Sequence, residues 1–142
     1  RYEQENSFVD LEGLREDGMD GWHIDNRAIT FVRTLHGPGT EYALMQPHEF
    51  HPGETMQAAA YRFRDALKRG EYLGQGRVKQ VEAGDILVVT GRLGGPGPWA
   101  DHTFRGLPAI VHRPPNTATY RAVLQNRFDI PAPPPGGRPA WL

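Results

Sequence analysis

Val81-Glu82-Ala83-Gly84-Asp85-Ile86-Leu87-Val88-Val89-Thr90-Gly91 is the stretch on which the fold turns. Residues 86–89 are all apolar, and Ile86, Val88 and Val89 are β-branched. The run sits between a Gly84-Asp85 turn and a Gly91-Arg92 exit, too short for an independent helix. Such a run reads as a strand buried on both faces, and hence as the central strand of a sheet.

Working outward, residues 77–81 form a short strand that the Glu82–Asp85 turn reverses or bends. Upstream, Thr55 caps a helix over 56–69, in which Met56, Ala59, Ala60, Phe63 and Leu67 recur at helical spacing. Lys68 and Arg69 suit the C-terminal end of its dipole, and Gly70 supplies the left-handed stop. From Ala28 to Leu35 the pattern alternates. Ile29, Phe31, Arg33 and Leu35 form one mainly apolar face, and Thr30, Val32 and Thr34 the other. Gly37-Pro38-Gly39 then turns the chain into a second strand, 41–45, so the pair reads as a β-hairpin. Residues 109–112 give a further strand, stopped by Pro114-Pro115. The stretch 117–128 fits either strand or helix and is assigned as strand. A short helical turn is placed near 9–14.

These elements make an α+β fold: a bent antiparallel sheet or partly closed β-barrel with one main helix packed on it. Residues 1–130 form a single compact domain, and the Pro/Gly-rich stretch 131–142 a loosely held tail. At 142 residues, with 38% hydrophobic content, the chain can bury one core, while 17 glycines and 13 prolines commit much of it to turns. The net charge of −1 argues against a nonspecific nucleic-acid or membrane-surface binder. With no cysteine, disulfides, thiolate nucleophiles and thiolate metal sites are excluded. No apolar run approaches the ~18 residues of a membrane span. The chain opens at Arg1, which reads as a processed or excised piece of a soluble bacterial-type protein, either cytoplasmic or secreted within a longer precursor.

Six histidines carry the candidate chemistry: His23, His36, His48, His51, His102 and His112. In His48-Glu49-Phe50-His51-Pro52-Gly53-Glu54, two histidines and a carboxylate can take one divalent metal if a distant ligand joins them. His102, beside Asp101, is the natural third donor, giving His48, His51, His102 and Glu54 as a metal set. With solvated loop histidines as the bland reading of that cluster, a metal-free alternative is His36 and His112 with Arg33. One imidazole would take a proton, the other give one, and the guanidinium steady a charged oxygen. His102 serves as a general base in a further variant. Gly91-Arg92-Leu93-Gly94-Gly95-Pro96-Gly97-Pro98 lacks a phosphate-loop ending and reads either as a plain long surface loop or as a loop covering a site, with Trp99 as a latch.

The stretch from Gly70-Glu71-Tyr72 through Val81-Glu82-Ala83-Gly84-Asp85-Ile86-Leu87-Val88-Val89 to His102 resembles the second half of a cupin. There a strand pair leads to a Gly-Asp turn, a hydrophobic strand and a metal-binding histidine, the position His102 would hold. The first half differs, since His48 and His51 are not spaced H-x-H and a helix stands where cupins have strand.

Taken together, these features predict a small enzyme using loop histidines for metal-assisted or acid–base chemistry on a small polar substrate. Two other classes compete with it. One is a non-catalytic binding or assembly module that offers Trp22, Trp99 and the proline-rich tail to another protein. The other is a metal-independent His/Arg nuclease or toxin-type domain cut from a longer chain.

Overall fold

The computed structural model describes residues 3–12, 21–72, 74–92, 103, 106–115, 121–129 and 136, with residues 3–12 and 129 described in backbone only. Seven strands and one α-helix follow the order β1 (Glu3–Glu12), β2 (Ile29–His36), β3 (Glu41–Ala43), α1 (Met56–Lys68), β4 (Val78–Gln80), β5 (Ile86–Thr90), β6 (Val111–Arg113) and β7 (Arg121–Asp129). Strands β1-β7-β2-β5 make one antiparallel sheet and β4-β3-β6 a second. The α+β assignment holds: the described residues form two small antiparallel sheets with one main helix and no closed barrel. No helix among the described residues is long and apolar enough to cross a membrane.

The helix forms where its signals place it. Thr55 Oγ1 accepts from Ala58 N at 3.1 Å, answering one of the unsatisfied amides of the first turn. At the other end Gly70 adopts φ +81°, Glu71 N donates to Ala66 O and Gly70 N to Leu67 O. That is the left-handed Schellman closure. The buried face holds Ala59, Ala60, Phe63, Ala66 and Leu67, while Met56 lies outside it. Phe63 and Leu67 pack against Trp22, Ile24, Ala43 and Val111 to form the larger of the cores described.

Alternation along the small sheet separates two faces. Ala43 and Val111, cross-strand partners, face α1. Tyr42 and His112 are also partners and therefore face the other way, towards the large sheet. The large sheet turns Thr30, Val32 and Thr34 inward, with their partners Val89, Leu87 and Val123. Val32, Val89 and Val123 close a second core against Leu87 and Ile110. The molecule thus stacks as helix, small sheet and large sheet.

Four expectations are corrected. Residues 86–90 are an edge strand of the large sheet, not its centre, and Ile86 and Val88 are 57% and 48% exposed. Hydrophobicity and β-branching mark a strand but not its neighbours. Here β7, distant in sequence, takes the central place instead. The 29–35/41–45 hairpin does not form, because β2 and β3 enter different sheets. Gly39 lies at that change of sheet, where a Cβ would overlap Val81 O. The buried face of β2 is the threonine face, leaving Phe31 and Leu35 outward. Residues 9–12 are strand rather than helical turn, paired with 121–124.

Phe63→Ala should cost about 3–5 kcal/mol in denaturant unfolding, the usual cost of emptying an aromatic core site. A loss below ~1 kcal/mol would show that the α1 stripe does not hold the core.

Candidate metal centre

The segment 22–25 runs extended along β6. His23 N donates to His112 O at 2.9 Å, and His112 N donates to His23 O at 3.1 Å. Residues that exchange both bonds project their side chains on the same face. Trp22 and Ile24 belong to the core beneath α1, so His23 and Asp25 point to the opposite side, where His112 already faces. The H-x-D spacing and the cross-strand pair together gather two imidazoles and a carboxylate at one point.

Their atoms converge closely. His112 Nε2 lies 3.4 Å and His23 Nε2 3.6 Å from the same Asp25 Oδ1, and the two ring centroids are 4.2 Å apart. The other ring nitrogens face backbone carbonyls, His23 Nδ1 at 2.7 Å from Gly21 O and His112 Nδ1 at 3.1 Å from Ile110 O. A carbonyl only accepts, so each Nδ1 carries the hydrogen and each Nε2 is turned to the carboxylate. In the neutral rings that sets lone pairs against a carboxylate oxygen, an arrangement that calls for a cation between them, either a proton or a metal. Donors about 2.0–2.1 Å from one tetrahedral ion stand roughly 3.3–3.5 Å apart; each histidine Nε2 is close to that separation from Asp25 Oδ1, and all three donor atoms lie within 4.8 Å of one another. Backbone carbonyls that orient the distal ring nitrogen are the usual outer shell of metal-bound histidine.

Burial pushes the Asp25 carboxyl up, but the hydrogen bond and charge of His112 outweigh it, with smaller contributions from Thr30 and His23. The carboxyl is therefore held well below the usual carboxylate range and stays ionised. The Thr30 hydroxyl, fully buried, has no hydrogen-bond partner among the described residues and adds a smaller lowering effect on Asp25. Exposure is graded across the centre: the His112 side chain is 7% exposed and that of His23 49%, leaving the centre open on the His23 side.

The loop bearing Asp25 is clamped by the exit of β5. Arg92 N donates to Asp25 O at 2.9 Å, Gly91 N to Ala28 O at 3.2 Å, and Arg92 Nε to Asn26 Oδ1. Gly91 fits because a Cβ there would overlap both Asp25 O and Arg27 O. On the helix side Arg113 lies 4.4 Å over the Trp22 ring and binds Glu41 at 2.6 Å, tying β6 to β3 and to the 22–25 segment. A cavity of about 390 Å³ opens beside Tyr42 and Leu87, which both face the space between the sheets, with Glu82 and Asp85 at its rim.

The other sequence-derived candidates fall elsewhere. His48 sits in a 3₁₀ turn, Pro47–Glu49, and both it and His51 are exposed. Glu54 is gripped by Arg62 through Nε and Nη2, both at 2.8 Å, and Arg62 holds its carboxyl down at about 2. Glu49 is held likewise by Arg77. In this loop, then, both carboxylates serve to fasten 46–54 to the structure around α1. His102 and Asp101 lie outside the described residues, as do Trp99 and the greater part of 131–142. Arg33 is on the solvent face of β2, opposite Ile86, whereas His112 lies between the sheets. His36, exposed, ends β2. His112 thus stands with His23 and Asp25. His23 was named among the six candidate histidines but placed in no set, and Asp25 was not named, although His23-Ile24-Asp25 behind Trp22 was a usable signal.

A family model described as a protein of unknown function, DUF1826, matches residues 3–125. No curated protein and no solved structure matches the chain.

Gly91→Ala should displace the Asp25 loop. The expected cost is about 1–3 kcal/mol, as for other forced overpacking, read as a lowered denaturation midpoint. A change under ~0.5 kcal/mol, the range of a neutral surface site, would show that the β5 exit does not clamp the loop.

Proposed function

The chain belongs to the DUF1826 family, and from that footing we propose that it is a small metal-dependent enzyme acting on a small polar substrate. His23, Asp25 and His112 hold one divalent transition metal. The observation that carries this reading is the convergence of two Nε2 atoms on one Asp25 oxygen while both Nδ1 atoms are pinned to carbonyls. All three donor atoms lie within 4.8 Å of one another.

Three protein ligands leave positions for water or substrate, the pattern of catalytic rather than closed structural sites. Nitrogen and oxygen donors without sulfur suit zinc, and two histidines with one carboxylate also suit ferrous iron. Such an ion supplies Lewis acidity and an activated water. The residues have distinct parts in this scheme. The Nδ1 contacts fix the tautomer that donates Nε2. Asp25 contributes a lasting negative charge that lowers the net charge of the site, and the exposed side of His23 admits ligand. His48 and His51 have no part in it.

Titration of metal-free protein with Zn²⁺ or Co²⁺ by calorimetry should give one equivalent bound. Asp25→Asn and His112→Asn should each weaken binding by about 100-fold or more, beyond the loss typical of outer-shell changes. His48→Ala and His51→Ala should leave it unchanged. Affinity should fall as the pH is lowered, because protons compete with metal for the ligating nitrogens. Asp25, already ionised, adds nothing to that slope. No uptake, or uptake indifferent to Asp25→Asn, would sink the proposal.

A further inference from the structure

Between the sheets, the hydroxyl of Thr30 differs from its neighbours. The Thr40 hydroxyl accepts from Arg121 Nη1 at 3.1 Å, and the Thr90 hydroxyl donates to Pro108 O at 2.7 Å. Thr30 is wholly removed from water, yet its Oγ1 has no hydrogen-bond partner among the described residues. Its surroundings in the sheet do not call for a hydroxyl. Its partner on β5 is Val89, and Val32, two residues on, turns the same way into the core with Val89 and Val123. Its partner on β7 is Arg127, whose guanidinium has only donors and cannot take the hydroxyl hydrogen. A valine at 30 has the same branched shape and no desolvated oxygen, so packing alone favours valine.

The hydroxyl bears instead on Asp25. Both side chains face the layer between the sheets, and Thr30 acts with His112 and His23 in holding the Asp25 carboxyl low. The loop that joins them is pinned by Arg92 N on Asp25 O and by Gly91 N on Ala28 O, which keeps the two residues in a fixed relation. An ionised carboxylate only accepts, and the hydroxyl has a hydrogen to give.

We propose that Thr30 is a positioning residue of the metal centre: its hydroxyl donates to the Asp25 carboxylate and sets the rotation in which Oδ1 meets the ion. The proposal rests on the metal reading above and extends it beyond the three ligands. Both imidazoles approach Oδ1, whereas a carboxylate free to turn about its last bond presents either oxygen. A hydrogen bond from a buried β-branched side chain, stiff about its own first torsion, removes that freedom. Carboxylates that ligate metals are commonly held in this way from outside the ligand shell.

The test is Zn²⁺ titration of the metal-free full chain by calorimetry, with denaturant unfolding of the same samples. Thr30→Val should weaken Zn²⁺ binding by about 10–100-fold, the usual effect of an outer-shell change, and Thr30→Ser should restore most of it. Metal-free Thr30→Val should unfold at a midpoint no lower than the unaltered protein, because the methyl replaces a hydroxyl without a partner. In an Asp25→Ala background, Thr30→Val should cost nothing further, as expected of a residue that acts through Asp25. A Thr30→Val protein with unchanged affinity overturns the proposal. So does an equal loss in the Asp25→Ala background, which would place the effect elsewhere. A lowered midpoint of metal-free Thr30→Val would assign the hydroxyl to the fold and overturn it too. A chain that takes up no zinc overturns both readings, whereas uptake indifferent to Thr30→Val overturns this one alone.

Discussion

The two hydrogen bonds exchanged between His23 and His112 are the constraint from which the rest follows. They lock the segment ahead of β2 onto β6 in one register. With that register set, pleat alternation leaves no choice. Trp22 and Ile24 go beneath α1, while His23 and Asp25 go between the sheets. A slip of one residue would exchange the two sets, placing a histidine and an aspartate in the core and a tryptophan in the polar layer. Burying an unpaired carboxylate is far costlier than burying a paired one. The core under α1 and the polar centre therefore enforce the same register from opposite faces.

The two faces of the small sheet do different work. On the helix side Trp22, Phe63, Leu67 and Val111 are almost wholly removed from water, worth roughly 1.5–3 kcal/mol for each large side chain. On the other side buried threonines, an arginine and the His–Asp–His group occupy space that aliphatic residues would fill at less cost. The Thr30 hydroxyl is left there without a hydrogen-bond partner among the described residues. A chain that keeps such groups inside forgoes stability in that layer. The donor geometry gives the exchange its rationale, because a carboxylate flanked by two imidazole nitrogens is a poor core and a good ligand set.

Local chemistry was legible in the sequence, and long-range pairing was not. Thr55, the apolar stripe and Gly70 each act through neighbours within a few residues, so the helix and both its ends could be read directly. The strands at 78–80 and 86–90 were recognisable for the same reason, whereas the local pattern of 121–129 fitted strand or helix alike. Which strand is central depends on β7 inserting between β1 and β2, a contact across more than eighty residues that no local pattern encodes. The centre shows the same division. His23-Ile24-Asp25 is a local signal, an extended tripeptide with two donors on one side. Its completion by His112 needs the β6 register, and with it the whole topology. Sequence favoured His48 and His51 because they are close along the chain, yet in the structure both lie on the surface.

The central claim is that His23, Asp25 and His112 act together as a ligand set, and X-ray absorption at the metal edge of zinc- or cobalt-loaded protein tests it most directly. The account predicts a first shell of nitrogen and oxygen at about 2.0–2.2 Å, with outer-shell scattering that counts two imidazoles. A shell with three or more imidazoles would point to a different group of histidines. A shell with none would contradict the account outright.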